Sequence, residues 1–209
     1  TTNGDWVTVQ FSTAGGTFVI GVNGVDDGFI YDGTTFWPYV DGGVSMMAVT
    51  ITDAFEAGEV VTGGTSGATA MVHSTSAGFL YLTAITGTFQ VAEAITGSVD
   101  GVGVVDALPV LVAPGITGIA SDRLSYVWAY KQRIWFIERD SLNAWYMPVD
   151  QVGGTAVVLP LGGVFNRGGS LLWGQTWSLD SGGDGGLSEP NVFPTTEGEV
   201  AAYQGLSPD

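Results

Sequence analysis

The chain has 209 residues, 45% of them hydrophobic, no cysteine and one histidine, and its 21 acidic and five basic residues give a net charge of −16. These figures allow one all-β domain or two small ones, exclude disulfide and thiolate chemistry, and argue against a protein that grips nucleic acid by neutralising phosphates. They leave room for a surface past which DNA slides, because like charges repel. The 33 glycines, with frequent Val, Thr and aromatics, favour many short strands joined by tight turns.

Taken in chain order, strands are expected at about 5–11, 17–23, 28–32 and 35–40. The turn GVDDG (24–28) joins two of them as a hairpin. Residues 51–106 differ in texture, being rich in Thr, Gly, Ala and Val and free of Trp, Lys and Arg. Within them ITDAFEAGEVVTGGTSGATAMV (51–72) aligns with ITGTFQVAEAITGSVDGVGVVD (85–106) at a constant offset of 34. The matched pairs include Ile51/Ile85, Phe55/Phe89, Glu59/Glu93, Thr62/Thr96, Gly63/Gly97 and Gly67/Gly101. Two copies of strand, Gly turn and strand predict a small β-sandwich or roll that buries Phe55 and Phe89.

Residues 107–119 hold two prolines and read as a linker. An aromatic meander follows. In 124–147 apolar residues fall on both faces of the strands, which predicts a sheet packed between two neighbours. The strand ends Tyr31 and Tyr146 are 115 positions apart, and Tyr146 and Tyr203 are 57 apart. Removing 51–106 shortens the first interval to 59. The expected architecture is therefore all-β: partial β-propeller-like meanders at 1–50 and 107–209, with repeats of about 58 residues, interrupted by a duplicated β-module at 51–106. Outside the module 153 residues remain, about 2.6 such repeats, too few to close a propeller. That shortfall, and an opening TTNGDWVTV without Met, read as part of a longer polypeptide.

Segments NGVDDGFIYDGTTFW, AYKQRIWFIERDSLNAWYMPVDQVGG, LPLGGVFNRGGSLLWGQTWSLDSGGDG and TTEGEVAAYQGLSPD resemble the β-propeller portion of short-tailed phage tail proteins of the hub or nozzle type. The likeness is strongest over 118–209 and weaker over 18–40. GEVVTGGTSGATAMV (58–72) is similar to a small β-module that recurs in phage structural proteins. The resemblance implies a structural virion protein of the tail. It would form a homo-oligomeric ring, commonly of six subunits, below the portal and adaptor. Its partners would be the adaptor, other tail proteins and DNA in transit. No catalytic residue and no cofactor come with it.

Residue by residue, the chemistry is sparse. GGTSGAT (63–69) lacks the Lys-Ser/Thr ending of a phosphate loop and reads as a hairpin turn. No G-x-S-x-G elbow is present, and His73 has no sequence neighbour that makes a triad or a zinc site. Asp26 and Asp27, with Asp32 nearby, and Asp180 and Asp184 are either Asx-turn residues, calcium ligands, or acids lining a channel. Arg123, Lys131, Arg133 and Arg139 fall within 17 positions and are either local charge balance or a contact patch for an acidic neighbouring subunit. Trp128, Trp135, Trp145, Trp173 and Trp177 are either packing residues or sugar-stacking platforms. Two alternatives to the tail reading remain open: a carbohydrate-binding or depolymerising tail module, and a calcium-stabilised β-repeat adhesin fragment. No apolar run is long enough for a membrane helix, and no signal-peptide pattern is present.

Overall fold

The computed structural model describes residues 4–177 and 189–204. Those residues are all-β, with a single 3-10 turn at Ser121–Arg123 and no α-helix. Two compact units share the chain. One joins the two flanks, 1–39 and 116–209, and the other is Val40–Gly115.

The first flank is an antiparallel meander of β1 (Val7–Thr13), β2 (Gly16–Val22), β3 (Phe29–Tyr31) and β4 (Phe36–Pro38). The expected turn at 24–28 connects β2 to β3. Alternation decides its faces. Phe11, Ile20, Val22 and Ile30 are buried in a core, while Phe29, Tyr31 and Phe36 point the other way and cluster with Trp6.

Residues 40–115 form a closed six-stranded barrel from β5 (Val44–Asp53), β6 (Val60–Gly63), β7 (Thr69–Ser76), β8 (Phe79–Thr86), β9 (Ala94–Gly97) and β10 (Val102–Ala113). The 34-residue repeat explains its closure. The first copy supplies β5, β6 and β7, and the second supplies β8, β9 and β10. Middle strands β6 and β9 pair antiparallel with Thr62 opposite Thr96, so matched positions face each other across a pseudo-two-fold axis. The third strand of each copy pairs with the first strand of the other, β7 with β8 and β10 with β5. Closure leaves the ladder without long open edges.

This corrects the expected sandwich or roll in two respects. The copies interlock into a barrel instead of stacking as two layers. The unit is also wider than 51–106, because residues 107–113, expected as linker, continue β10 and pair with Val44–Ala48 of β5. The prolines misled here: Pro109 falls where the β10–β5 register slips between Ala107 and Val110, so its missing N–H interrupts the ladder locally without ending the strand. The core contains Phe55 and Phe89, as the duplication predicts, with Met47, Leu80, Leu82 and Ile95.

The second flank begins with β11 (Ile116–Thr117) and the meander strands β12 (Leu124–Tyr130), β13 (Arg133–Glu138) and β14 (Asn143–Tyr146). Next come β15 (Gly154–Thr155), parallel to β11, and β16 (Val157–Pro160), which joins the meander beside β14. A third sheet consists of β17 (Gln175–Thr176), β18 (Asn191–Pro194) and β19 (Val200–Tyr203). In sheet β12-β13-β14-β16 the first three strands are buried on both faces, and β16 is largely exposed. Leu124, Val127, Ile134 and Phe136 share the core of the first meander. Trp128, Trp135, Ile137 and Tyr146 share another with Phe193, Leu171 and Tyr203. Aromatics on both faces thus lie between neighbouring sheets. Tyr31, Tyr146 and Tyr203 each end the third strand of their sheet, so the interval of about 58 residues marks one meander. Tyr146 and Tyr203 enter one core, whereas Tyr31 lies on the outer face of its sheet.

Candidate functional site

The first strands of the three meanders converge. Val7–Val9 of β1, Tyr126–Ala129 of β12 and Gln175–Thr176 of β17 line an open groove of about 290 Å³. Its floor is set by packing. Trp128 donates its indole N–H to Asn191 Oδ1 at 3.0 Å and lies edge-on to Phe193. Gly174 makes room for that ring, since a Cβ there would collide with it. Among the described residues, the polar side chains along the groove are Thr8, Gln175, Thr176 and Tyr126, with no carboxylate, imidazole or amine. Such a lining offers neutral hydrogen bonds and apolar contact.

Trp128 apart, the sequence candidates among the described residues fall elsewhere. Asp26 is half-buried and accepts a 2.7 Å hydrogen bond from Asn23 Nδ2, while Asn23 Oδ1 accepts from the Val25 and Asp26 amides. This is an Asx-turn built on the buried Asn23. Asp27 beside it is exposed. Asp32 accepts from the amides of Thr34 and Thr35 and from the Trp37 indole, and these donors, Thr35 foremost, hold its carboxyl below the usual range. Asp180 and Asp184 lie outside the described residues. Among the described residues no three His, Cys, Asp or Glu side chains gather as a metal site, and His73 is an exposed residue of β7.

The four clustered cations do not form one patch. Because β12 and β13 are a hairpin, Arg123 and Arg139 meet at its open end, where the Arg139 amide bonds the Arg123 carbonyl. Lys131 and Arg133 sit at its turn, about 20 Å away at the rise of a seven-residue strand. Sequence proximity failed because a hairpin folds nearby positions to opposite ends. Each group is also engaged within the chain. Arg123 pairs with Glu138 at 2.9 Å, and the Arg139 guanidinium donates to the Gly24 carbonyl. Lys131 and Arg133 lie over the rings of Tyr130 and Tyr146. Glu138 also accepts from Asn143 Nδ2 and the Trp145 indole. Its partial burial pushes the carboxyl up, but these three donors and the Arg123 charge outweigh that and hold it low.

Trp128 and Trp135 are core residues, and Trp145 is tied to Glu138. Trp173 and Trp177 are exposed, Trp177 at 57%. Sequence reading missed two buried carboxylates in the barrel, Glu59 and Glu93, although it had aligned them as a repeated pair. An acid kept at equivalent positions beside a buried aromatic was the available signal. The barrel also bears a cleft of about 500 Å³ with Asp41, Ser45 and Thr86 on its walls, beside Ala84 at a φ of 50°. The chain matches no family model, no curated protein and no solved structure.

Proposed function

We propose that the chain is a structural subunit of a short-tailed phage tail, of nozzle or hub type, and that it assembles with itself in a ring around the DNA ejection channel. The observation that carries this reading is the convergence of three antiparallel meanders, by their first strands, on one groove whose polar groups, among the described residues, are neutral. That layout is the one expected of successive propeller blades, and it fits a scaffold better than a reaction centre. The segment resemblance supplies the tail context, and the −16 charge suits a wall that DNA passes without adhering. On this reading the protein is not an enzyme, resides in the virion tail, and has itself, the adaptor and other tail proteins as partners. Among the described residues no helix is long and apolar enough to cross a membrane.

Electron microscopy of the purified protein, and of particles labelled through an epitope on it, tests this reading. A six-fold ring at the tail supports it, and a monomer or a trimeric spike overturns it. A second reading, a carbohydrate-binding tail module, draws on the exposed Trp173 and Trp177. Glycan-array binding lost on substituting either Trp would favour it.

A further inference from the structure

The barrel buries two carboxylates without a cation. Glu59 and Glu93 are only 3% and 4% exposed, and residues 40–115 contain no Lys or Arg. Burying an unpaired charge is costly unless hydrogen bonds replace its hydration. Here backbone amides do so, and in matched fashion. Glu93 Oε1 accepts from the Gln90 amide at 2.6 Å, and Glu59 Oε1 accepts from the Glu56 amide at 2.7 Å. Gln90 and Glu56 are themselves 34 positions apart.

The other oxygen of each crosses to the opposite copy. Glu93 Oε2 accepts from Thr65 and Ser66 of the loop 63–67, and Ser66 Oγ adds a bond to Oε1. Glu59 Oε2 accepts from Val99 of the loop 97–101, and Val99 is the counterpart of Thr65. The repeated glycines make room. A Cβ on Gly63 would lie 2.7 Å from Glu93 Oε2, and one on Gly97 would collide with Glu59 Oε2. Each carboxylate thus closes its own turn and holds the other copy's Gly-rich loop.

We propose that Glu59 and Glu93 are paired latches locking the two halves of the barrel together, and that acid releases the Glu93 latch and frees the loop 63–67. A protonated carboxyl cannot accept the same set of bonds, so charge is the holding element. The groups facing Glu93, namely Gly63, Thr65, Ser66 and Gln90, carry no ionisable side chain. The groups placed against Glu59, namely the Glu56 and Val99 amides, Gly97 and Gly101, present no ionisable side chain. Burial raises the Glu93 pKa, but the bonds from Gln90, Ser66 and Thr65 together hold it below its ordinary 4.5. A depressed value means that the latch is complete above about pH 4.5 and lost as pH falls through the lower folded value.

Hydrogen exchange on the full chain tests this, read as protection factors corrected for intrinsic rates. Between pH 7 and pH 3, protection at the Thr65 and Ser66 amides should fall about tenfold or more, while Trp135 and Phe136 in the other unit stay protected. The Glu93→Gln variant should show the low value at pH 7 and no further fall. Glu59→Gln should expose Val99 and leave Thr65 and Ser66 protected. Protection unchanged down to pH 3, loss of protection everywhere at once, or a wild-type pH profile in Glu93→Gln would each overturn the proposal. If Glu93→Gln does not fold, the wild-type profile and Glu59→Gln decide between these outcomes.

Discussion

The barrel and the meander unit are built from the same strands and turns but held by opposite means. The meander unit relies on large rings. Trp128, Trp135, Tyr146 and Phe193 fill one core, with ring centroids 5.1–6.3 Å apart. The barrel buries no Trp or Tyr, and supplements Phe55, Phe89 and aliphatics with carboxylate-to-amide bonds. The difference shows that a Gly-rich, ring-poor sequence can be fixed in one register by polar bonds at its turns, while an aromatic one is fixed by packing.

The sharpest way to break this contrast is Trp135→Ala. It removes the ring between Trp128, Tyr146 and Phe193 and should cost about 3–5 kcal/mol in the meander unit alone. Chemical denaturation with exchange readout by region should show the barrel amides retaining their protection; joint loss would erase the distinction. Next, Gly97→Ala should cost the barrel roughly 1–3 kcal/mol, because its Cβ enters the space of the Glu59 carboxylate. The same change at exposed Gly33, which has no neighbour but, unlike Gly97, a positive φ of 94°, should act only through backbone strain.

A smaller effect is expected from Tyr39→Phe. The phenol is fully buried and donates to the Val152 carbonyl at 2.8 Å, so its loss should cost about 1 kcal/mol by thermal denaturation. The smallest belongs to Arg123→Ala. Its pair with Glu138 is half-exposed on the Arg side, and such pairs contribute about 0–1 kcal/mol. Its clearer signature is in pH. With Arg123 present, the stabilisation through Glu138 is whole above about pH 4.5 and lost as pH falls through the lower folded value. Removing Arg123 should move that loss toward higher pH, measurable by NMR titration of the Glu138 side chain.

Much of the fold was legible because it repeats. The 34-residue offset located Phe55 and Phe89, since a chain that reuses one unit reuses its core positions, and the tyrosine interval of about 58 residues matched the third strand of each meander, although Tyr31 faces away from the core. What escaped was set by pairing between distant segments. Ala107–Ala113 carries Pro109 and residues as exposed as Val110, at 63%, so it reads as a connector; only the partner β5 makes it a strand. Arg123 and Lys131 looked adjacent until the hairpin separated them. Glu59 and Glu93 align as a pair, but their burial was not legible, because the amides that meet them belong to the other copy. The groove was illegible for the same reason, its three walls coming from positions near 8, 128 and 175.

That the meander unit is split around the barrel has a consequence for synthesis. The first meander is complete at Tyr39, but its core partners begin at Ile116, 77 positions later. At roughly 5–20 residues per second, the first meander waits on the order of ten seconds with Ile20, Val22 and Ile30 uncovered. The barrel, whose strands all fall in that gap, can finish first. A ribosome therefore delivers this chain as a completed barrel beside an unfinished meander unit in the sequence, and the period of greatest exposure to misassociation ends when β12 and β13 emerge.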